Sequence, residues 1–205
     1  TSTFDVQKVF LSVTADDQTK VYGTTNPTLS FQYSGWINGV ETIDTPPTAV
    51  TTVGNTTDVG NYNGAITVSG GSDNNYNFNY FAGDFEVTPA TVTPVIVANN
   101  KFWDGNNTAT LSSQTVTGVI SPDVVTLLVT TATFDNANPG TDKTVTASGL
   151  SLGGADKDNY VLSSTTATDL ADIIDAPPPP VSLGDKAICH GATSYPALSV
   201  TVVAG

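Results

Sequence analysis

The residue pair most suggestive of chemistry is Cys189 and His190, because a thiol beside an imidazole can act as nucleophile and base. Neighbouring residues on a strand point to opposite faces, so these two side chains would not readily hydrogen-bond to each other. A buried thiol, or a disulfide with a cysteine beyond Gly205, explains Cys189 without catalysis. We therefore predict no catalytic residues and expect that the protein is not an enzyme.

Acidic side chains are the second candidate for chemistry, since Ca²⁺ takes about six to eight oxygen ligands. Asp156 and Asp158 share a turn with Asn159, although Lys157 lies between them and the chain has no Asp-x-Asp-x-Asp-Gly loop. Solvated turn caps are the alternative for these and for the remaining candidates: Asp16, Asp17, Asp73, Asp104, Asp123 and Asp135. We predict no metal and no cofactor, with calcium at Asp156 and Asp158 as the alternative.

Aromatic side chains could stack on sugars. Three rings alternate with asparagines on one predicted strand: Tyr76, Phe78 and Tyr80. Trp36 and Trp103 are further candidates. We favour core packing for these side chains, because aromatic residues dominate small cores. Phe81 breaks the alternation, and we expect it to lie outside.

The elements that must position these residues are arranged as a repeat. Lys20-Val21-Tyr22-Gly23 is echoed by Lys101-Phe102-Trp103-Asp104-Gly105. Each motif begins a Thr-, Asn- and Gly-rich segment, and each segment later contains an Asn-Tyr pair, at Asn75-Tyr76 and at Asn159-Tyr160. The predicted organisation is a closing strand or linker at 1–11, modules at 12–90 and 91–176, a proline spacer at 177–180 and the start of a further Ig-like repeat at 181–205.

Period-2 alternation and glycine-rich turns predict an all-β fold. We expect tandem small β-sandwich (Ig-like) modules, with a β-grasp-like sheet and one short helix as the alternative. Residues 168–174 are predicted to be a strand. Residues 124–129 are apolar on both faces, which is typical of a central strand.

Composition excludes several partners. The formal net charge is −13, and the chain has six lysines and no arginine. Phosphates require Lys and Arg, so nucleic acid and anionic lipid are not expected partners. No apolar run reaches the roughly 18 residues of a membrane span, and we predict no direct membrane insertion.

The first module resembles the MBG-type repeat of large bacterial surface proteins, through the Lys20–Gly23 motif, Asn26-Pro27 and Asn75-Tyr76. The second resembles the related YDG repeat, although Trp103 replaces the tyrosine of its name-giving motif. These resemblances imply an adhesin or filament of the kind found in gliding Bacteroidetes, located extracellularly on the outer membrane-associated cell surface.

The predicted function is a structural stalk or spacer, and the implied partners are neighbouring repeats. The alternative is an adhesive module that binds surface polysaccharide or another surface protein. The residues expected to carry the structural role are Tyr22, Gly23, Trp103, Gly105, Tyr76 and Tyr160. We also predict that the rings of Tyr76 and Tyr160 are buried, as corner tyrosines of sandwich proteins are.

Overall fold

The structure is a computed structural model that describes residues 7–37 and 42–175. Several features predicted from the sequence therefore lie wholly or partly outside the described residues: the closing strand or linker at 1–11, the proline spacer at 177–180, the further repeat at 181–205, and the pair Cys189 and His190. The described residues from 7 to 175 belong to one compact unit.

The described residues of the first module, which spans 9–88, form seven strands in two sheets. Its strands are β1 (Val9–Ala15), β2 (Gln18–Val21), β3 (Phe31–Ser34), β4 (Thr48–Thr51), β5 (Gly60–Ser69), β6 (Tyr76–Phe81) and β7 (Gly83–Thr88). In the sheet of order β3-β1-β6, β1 is antiparallel to β3 and parallel to β6. In the sheet of order β2-β7-β5-β4, β7 is parallel to β2 and antiparallel to β5.

The second module, residues 90–174, contains nine strands. They are β8 (Ala90–Ala98), β9 (Lys101–Phe102), β10 (Leu111–Thr117), β11 (Thr126–Leu128), β12 (Thr131–Phe134), β13 (Gly140–Ser148), β14 (Ser151–Gly153), β15 (Tyr160–Leu162) and β16 (Thr166–Ile174). A single 3-10 turn at Lys157–Asn159 precedes β15. No helix of the described residues has the length and apolar character needed to cross a membrane.

The second module repeats the strand pairing of the first. Its sheets have the orders β10-β8-β15 and β12-β13-β16-β9, so β8 stands where β1 stands and β16 where β7 stands. The ribbon β11-β14 has no counterpart among the described strands of the first module. Each strand pairing of the described residues lies within one module.

Strands form where apolar and polar side chains alternate. In β7, Phe85 and Val87 are buried, whereas Asp84 and Glu86 are exposed. One face of the strand therefore reaches the core and the other faces water. The predicted all-β fold and sandwich modules are confirmed, and β16 confirms the strand predicted at 168–174.

One buried apolar cluster extends across the junction of the modules. It contains Phe85 and Ile66 of the first module together with Val92 and Tyr160 of the second. Two further clusters lie in the second module, one around Phe134 and one formed by residues of β8, β11, β13 and the turn after β13. The junction is therefore part of the core and not a solvated hinge.

The prediction of a central strand at 124–129 is wrong. Only Thr126–Leu128 forms a strand, β11, and it pairs with β14 alone. Leu127 is 2% exposed, but Val124 is 56% and Leu128 49% exposed. Leu127 packs into a buried cluster with Ile96 and Ala147, whereas the apolar side chains on the opposite face remain in solvent.

Candidate functional site

Tyr22 and Gly23 follow β2 directly and lie where the two modules meet. The Tyr22 N–H donates to the Thr88 carbonyl at 2.8 Å, which extends the pairing of β2 with β7 by one residue. Gly23 has φ +80°, a left-handed angle that favours glycine. The ring of Tyr22 is 4% exposed, because residues of the second module cover it.

One carboxylate oxygen binds a tyrosine from each module. The Tyr22 hydroxyl donates to Asp123 Oδ2 at 2.8 Å, and the Tyr160 hydroxyl donates to the same oxygen at 2.5 Å. The Tyr160 hydroxyl also accepts the Ile120 N–H at 3.1 Å. The two rings meet edge to face, with centroids 5.5 Å apart and an interplanar angle of 75°, a geometry that aromatic pairs favour.

The electrostatics of this cluster keep both tyrosines as donors. Burial is the largest cause that raises the pKa of Tyr160, followed by its hydrogen bond to Asp123, and together they bring it to about 12. Burial and the same carboxylate also raise the pKa of Tyr22. Both hydroxyls therefore remain protonated near neutral pH, and the Asp123 oxygen accepts from both.

Asn159 forms a second polar link across the junction. Its side chain is buried, its Oδ1 accepts the Val59 N–H at 2.9 Å, and its Nδ2 donates to Asp58 Oδ1 at 2.9 Å. The amide thus satisfies a donor and an acceptor of the first module at once. The Asn159-Tyr160 pair as a whole faces the first module.

Ile120 fills the space beside Gly23. A Cβ built on Gly23 would lie 2.0 Å from Ile120 Cδ1, and its three nearest atoms all belong to Ile120. The glycine is therefore required twice, for its backbone angle and for the approach of the second module. Tyr22, Gly23, Asp123, Tyr160 and Ile120 are called the joint below.

A buried lysine holds the turn behind Tyr22. Lys20 Nζ donates to the carbonyls of Gly54 and, at 3.3 Å, Thr24, and burial lowers the pKa of the amine. Lys101 occupies the same position in the second module, where its Nζ donates to the carbonyls of Asn106 and Thr108 at 2.7 and 3.1 Å. In each module, a lysine side chain that donates to loop carbonyls therefore stabilises the corresponding loop.

Comparison with protein families agrees with this repetition. Residues 11–86 match the family model of the MBG domain (YGX type), and residues 88–167 match that of the YDG domain. The chain is similar to these two domains in tandem. Both are non-catalytic families. No curated protein and no solved structure is significantly similar to the chain.

The YDG-like module carries a counterpart of the Tyr22-Gly23 part of the joint, and no described residue covers it. The Trp103 N–H donates to the Ile174 carbonyl at 2.8 Å, as the Tyr22 N–H does to Thr88. Trp103 is nevertheless 48% exposed, so the prediction that it packs in a core is wrong. Gly105 has φ +79°, close to the angle of Gly23, and a Cβ there would meet nothing within 4 Å.

Tyr76, the third tyrosine for which a structural role was predicted, is buried within the MBG-like module. Its ring is 4% exposed and its hydroxyl accepts the Ile37 N–H at 3.0 Å. Tyr160 is 6% exposed, so the predicted burial of both rings is confirmed. Trp36 packs on Tyr76 with ring centroids 5.5 Å apart, whereas Phe81 is 51% exposed, as predicted.

The calcium candidates are engaged locally. Asp156 Oδ2 accepts the Val124 N–H at 2.7 Å, and Asp158 pairs with Lys157 at 2.6 Å. Within residues 7–37 and 42–175, no three or more His, Cys, Asp or Glu side chains group in a way that could hold a metal ion. The absence of a bound metal stays a prediction, with calcium at Asp156 and Asp158 as the alternative.

The sequence-based interpretation missed the role of Asp123, which it placed among the solvated turn acids. The residue lies 101 positions from Tyr22 in the chain, so no local pattern connects the two. The sequence offered one signal: Tyr22 and Tyr160 both belong to repeated motifs, and a buried tyrosine needs a hydrogen-bond partner for its hydroxyl. Ile120 and Asp58 were missed for the same reason.

Proposed function

We propose that residues 7–175 are a structural spacer in the stalk of a large repetitive bacterial surface adhesin or filament, with gliding motility as one setting. The proposal includes an extracellular location on the outer membrane-associated cell surface. It rests on one observation, the buried joint at which Asp123 binds tyrosines of both modules. Neighbouring repeats are then the principal partners, and no catalysis is required.

The connection between the modules suits a spacer. Strand β7 ends at Thr88 and β8 begins at Ala90, so Pro89 is the single residue between them. Proline fixes its own φ near −65° and so stiffens a one-residue link. A short link and a buried joint favour one fixed orientation over a hinge, and fixed orientations add length predictably from module to module.

The surface charge is compatible with an array of such modules. The formal net charge of −13 keeps neighbouring chains apart in solution through mutual repulsion. Compact modules of this kind need no ligand to maintain their spacing. We extend the proposal to a calcium-independent stalk, with calcium stiffening at Asp156 and Asp158 as the alternative.

The proposal is tested by the distribution of distances between the modules. Spin labels are attached at Asn77→Cys in the first module and Thr131→Cys in the second, in a Cys189→Ser background. Pulsed electron paramagnetic resonance then measures the distribution of distances between the two labels. We expect a narrow distribution that calcium does not change and that Asp123→Ala broadens. A broad distribution in the unmodified joint would contradict a spacer, and narrowing only with calcium would favour the metal-stiffened alternative.

A second candidate function, binding of surface polysaccharide, is favoured by the outer face of the sheet β3-β1-β6. Phe10 is 63% and Phe81 51% exposed, and exposed Asn77 and Asn79 lie on neighbouring positions of the same face. Aromatic rings and carboxamides together suit stacking on sugars. Glycan-array binding that is lost in Phe10→Ser and Phe81→Ser would support this function, and an array without signal would exclude the glycans it displays.

A further inference from the structure

The joint consists of two complementary halves. One half is the Tyr22-Gly23 turn after β2, which we call the socket. The other half is Ile120 of the second module, which we call the corner, and its N–H donates to the Tyr160 hydroxyl. Inside the chain the socket of the MBG-like module receives the corner of the YDG-like module, because Ile120 Cδ1 occupies the space that a side chain at Gly23 would need.

A second socket lies open on the YDG-like module. Its apolar side chains are exposed: Phe102 by 60%, Trp103 by 48% and Ile174 by 45%. No atom lies within 4 Å of a Cβ built on Gly105, although its φ of +79° matches that of Gly23. Trp103 pairs with Ile174 as Tyr22 pairs with Thr88, but Asp104 separates Trp103 from Gly105, whereas Gly23 follows Tyr22 directly. No described residue covers this surface.

A second corner, on the MBG-like module, is not covered by any of the described residues. Gly35 and Gly118 precede the two corners with similar angles, φ +97° and +94°. The Ile37 N–H donates to the Tyr76 hydroxyl at 3.0 Å, as the Ile120 N–H does to Tyr160 at 3.1 Å. Ile37 is 41% exposed, so the aliphatic side chain that fills a socket is available here.

The residues of the open socket differ from those of the covered one in size and in their polar group. Trp103, which corresponds to Tyr22, carries an indole N–H donor where Tyr22 carries a hydroxyl that donates to a carboxylate. Phe102 stands where Val21 stands and offers a larger apolar surface. The open socket therefore offers apolar surface to an aliphatic corner, and that apolar contact is the part of the joint that Ile37 can supply.

We propose that the open socket binds the open corner of a second copy of this chain, with Trp103 and Gly105 of one copy against Ile37 of the next. The two surfaces are different, so the contact is heterologous and leaves one socket and one corner free at the ends. Such contacts propagate unless the rotation closes a ring. This association goes beyond the spacer role and would join copies end to end.

The expected affinity is low. A short link joins the two halves of the internal joint and gives them an effective concentration in the millimolar range. Contacts that are sufficient within one chain are therefore expected to bind separate molecules only weakly. Two chains that each carry −13 also repel each other, and salt screens this repulsion. Association should therefore strengthen as the salt concentration rises.

Sedimentation velocity of the full chain, from about 10 µM to about 1 mM at low and high salt, tests the proposal in the range set by the effective concentration. We expect the sedimentation coefficient to rise with concentration and salt. Trp103→Ser and Ile37→Asp should each remain monomeric, because each removes one half of the contact. Phe81→Ser, an exposed aromatic outside both halves, should associate as the unchanged chain does.

Mixing the two variants gives the decisive result. Trp103→Ser keeps its corner and Ile37→Asp keeps its socket, so an equimolar mixture should form 1:1 dimers that do not grow further. A monomeric unchanged chain at all concentrations would overturn the proposal, as would association that persists in either variant. Fluorescence quenching by iodide gives a further check. If iodide failed to quench Trp103 in the monomer, the proposal would be overturned, because the socket would then be covered within one copy.

Discussion

At the residue scale, Asp123 is the residue of the joint that both tyrosines share. Its Oδ2 accepts from Tyr22 and Tyr160, and both rings are buried. A buried hydroxyl without an acceptor costs the full desolvation of that group. The carboxylate therefore stabilises contacts of two modules whose residues are far apart in sequence.

We expect Asp123→Ala to lower the free energy of unfolding by about 1–3 kcal/mol, because two buried tyrosine hydroxyls lose their acceptor. Asp123→Asn should cost less, since the amide oxygen still accepts. Urea denaturation of the three proteins measures the difference. Equal stability of the alanine variant and the unchanged chain would show that water replaces the carboxylate.

The raised pKa values of the two tyrosines predict a loss of stability at high pH. Their folded-state pKa values lie above the unfolded value of about 10, and that of Tyr160 is about 12. The stabilising contribution is therefore complete below pH 10 and falls as pH rises towards 12. Denaturation across this interval should show a shallower decline for the Tyr22→Phe/Tyr160→Phe double variant, with half-exposed Tyr80→Phe as the control.

Two glycines provide a matched test of steric fit. Gly23 and Gly105 share left-handed angles, so alanine at either costs about 1–2 kcal/mol from the backbone alone. At Gly23 the added Cβ also meets Ile120 at 2.0 Å, which should add about 1–3 kcal/mol of overpacking. Adding Ile120→Ala to Gly23→Ala should remove the overpacking term, and melting curves that rank Gly105→Ala as the more damaging single change would refute this account.

At the element scale, the sequence predicts strands better than it predicts their partners. Alternation in β7 and β16 identifies each strand and its buried face, because period 2 is a local property. The segment around β11 was misassigned, since an apolar run on both faces does not reveal how many strands flank it. Asp123 was missed because its partners come from distant parts of the chain.

The corrected ribbon β11-β14 gives a matched pair of leucines. Leu127 is 2% exposed and belongs to a buried cluster, whereas its neighbour Leu128 is 49% exposed. We expect Leu127→Ala to cost about 2–5 kcal/mol through the cavity it leaves. Leu128→Ala should change stability by no more than about 0.5 kcal/mol. Thermal melting of both variants compares them, and similar losses would indicate that the ribbon buries both faces in solution.

At the scale of the whole molecule, the buried clusters are linked. Val116 and Leu162 pack against both the cluster that crosses the joint and the cluster around Leu127. Leu111 connects the latter to the cluster around Phe134. Apolar contact is therefore continuous from the first module through the second, although their strands pair separately.

This continuity predicts that the two modules unfold together. Separate sheets alone would allow the MBG-like module to open first, but opening it would expose the Tyr160 ring and Val92. Native-state hydrogen exchange should therefore give similar opening free energies for Val13 in β1 and Val145 in β13, both fully buried. In Asp123→Ala/Ile120→Ala the two values should separate, because the joint no longer couples the modules. Unequal values already in the unchanged chain would mean that the joint positions the modules without coupling their stability.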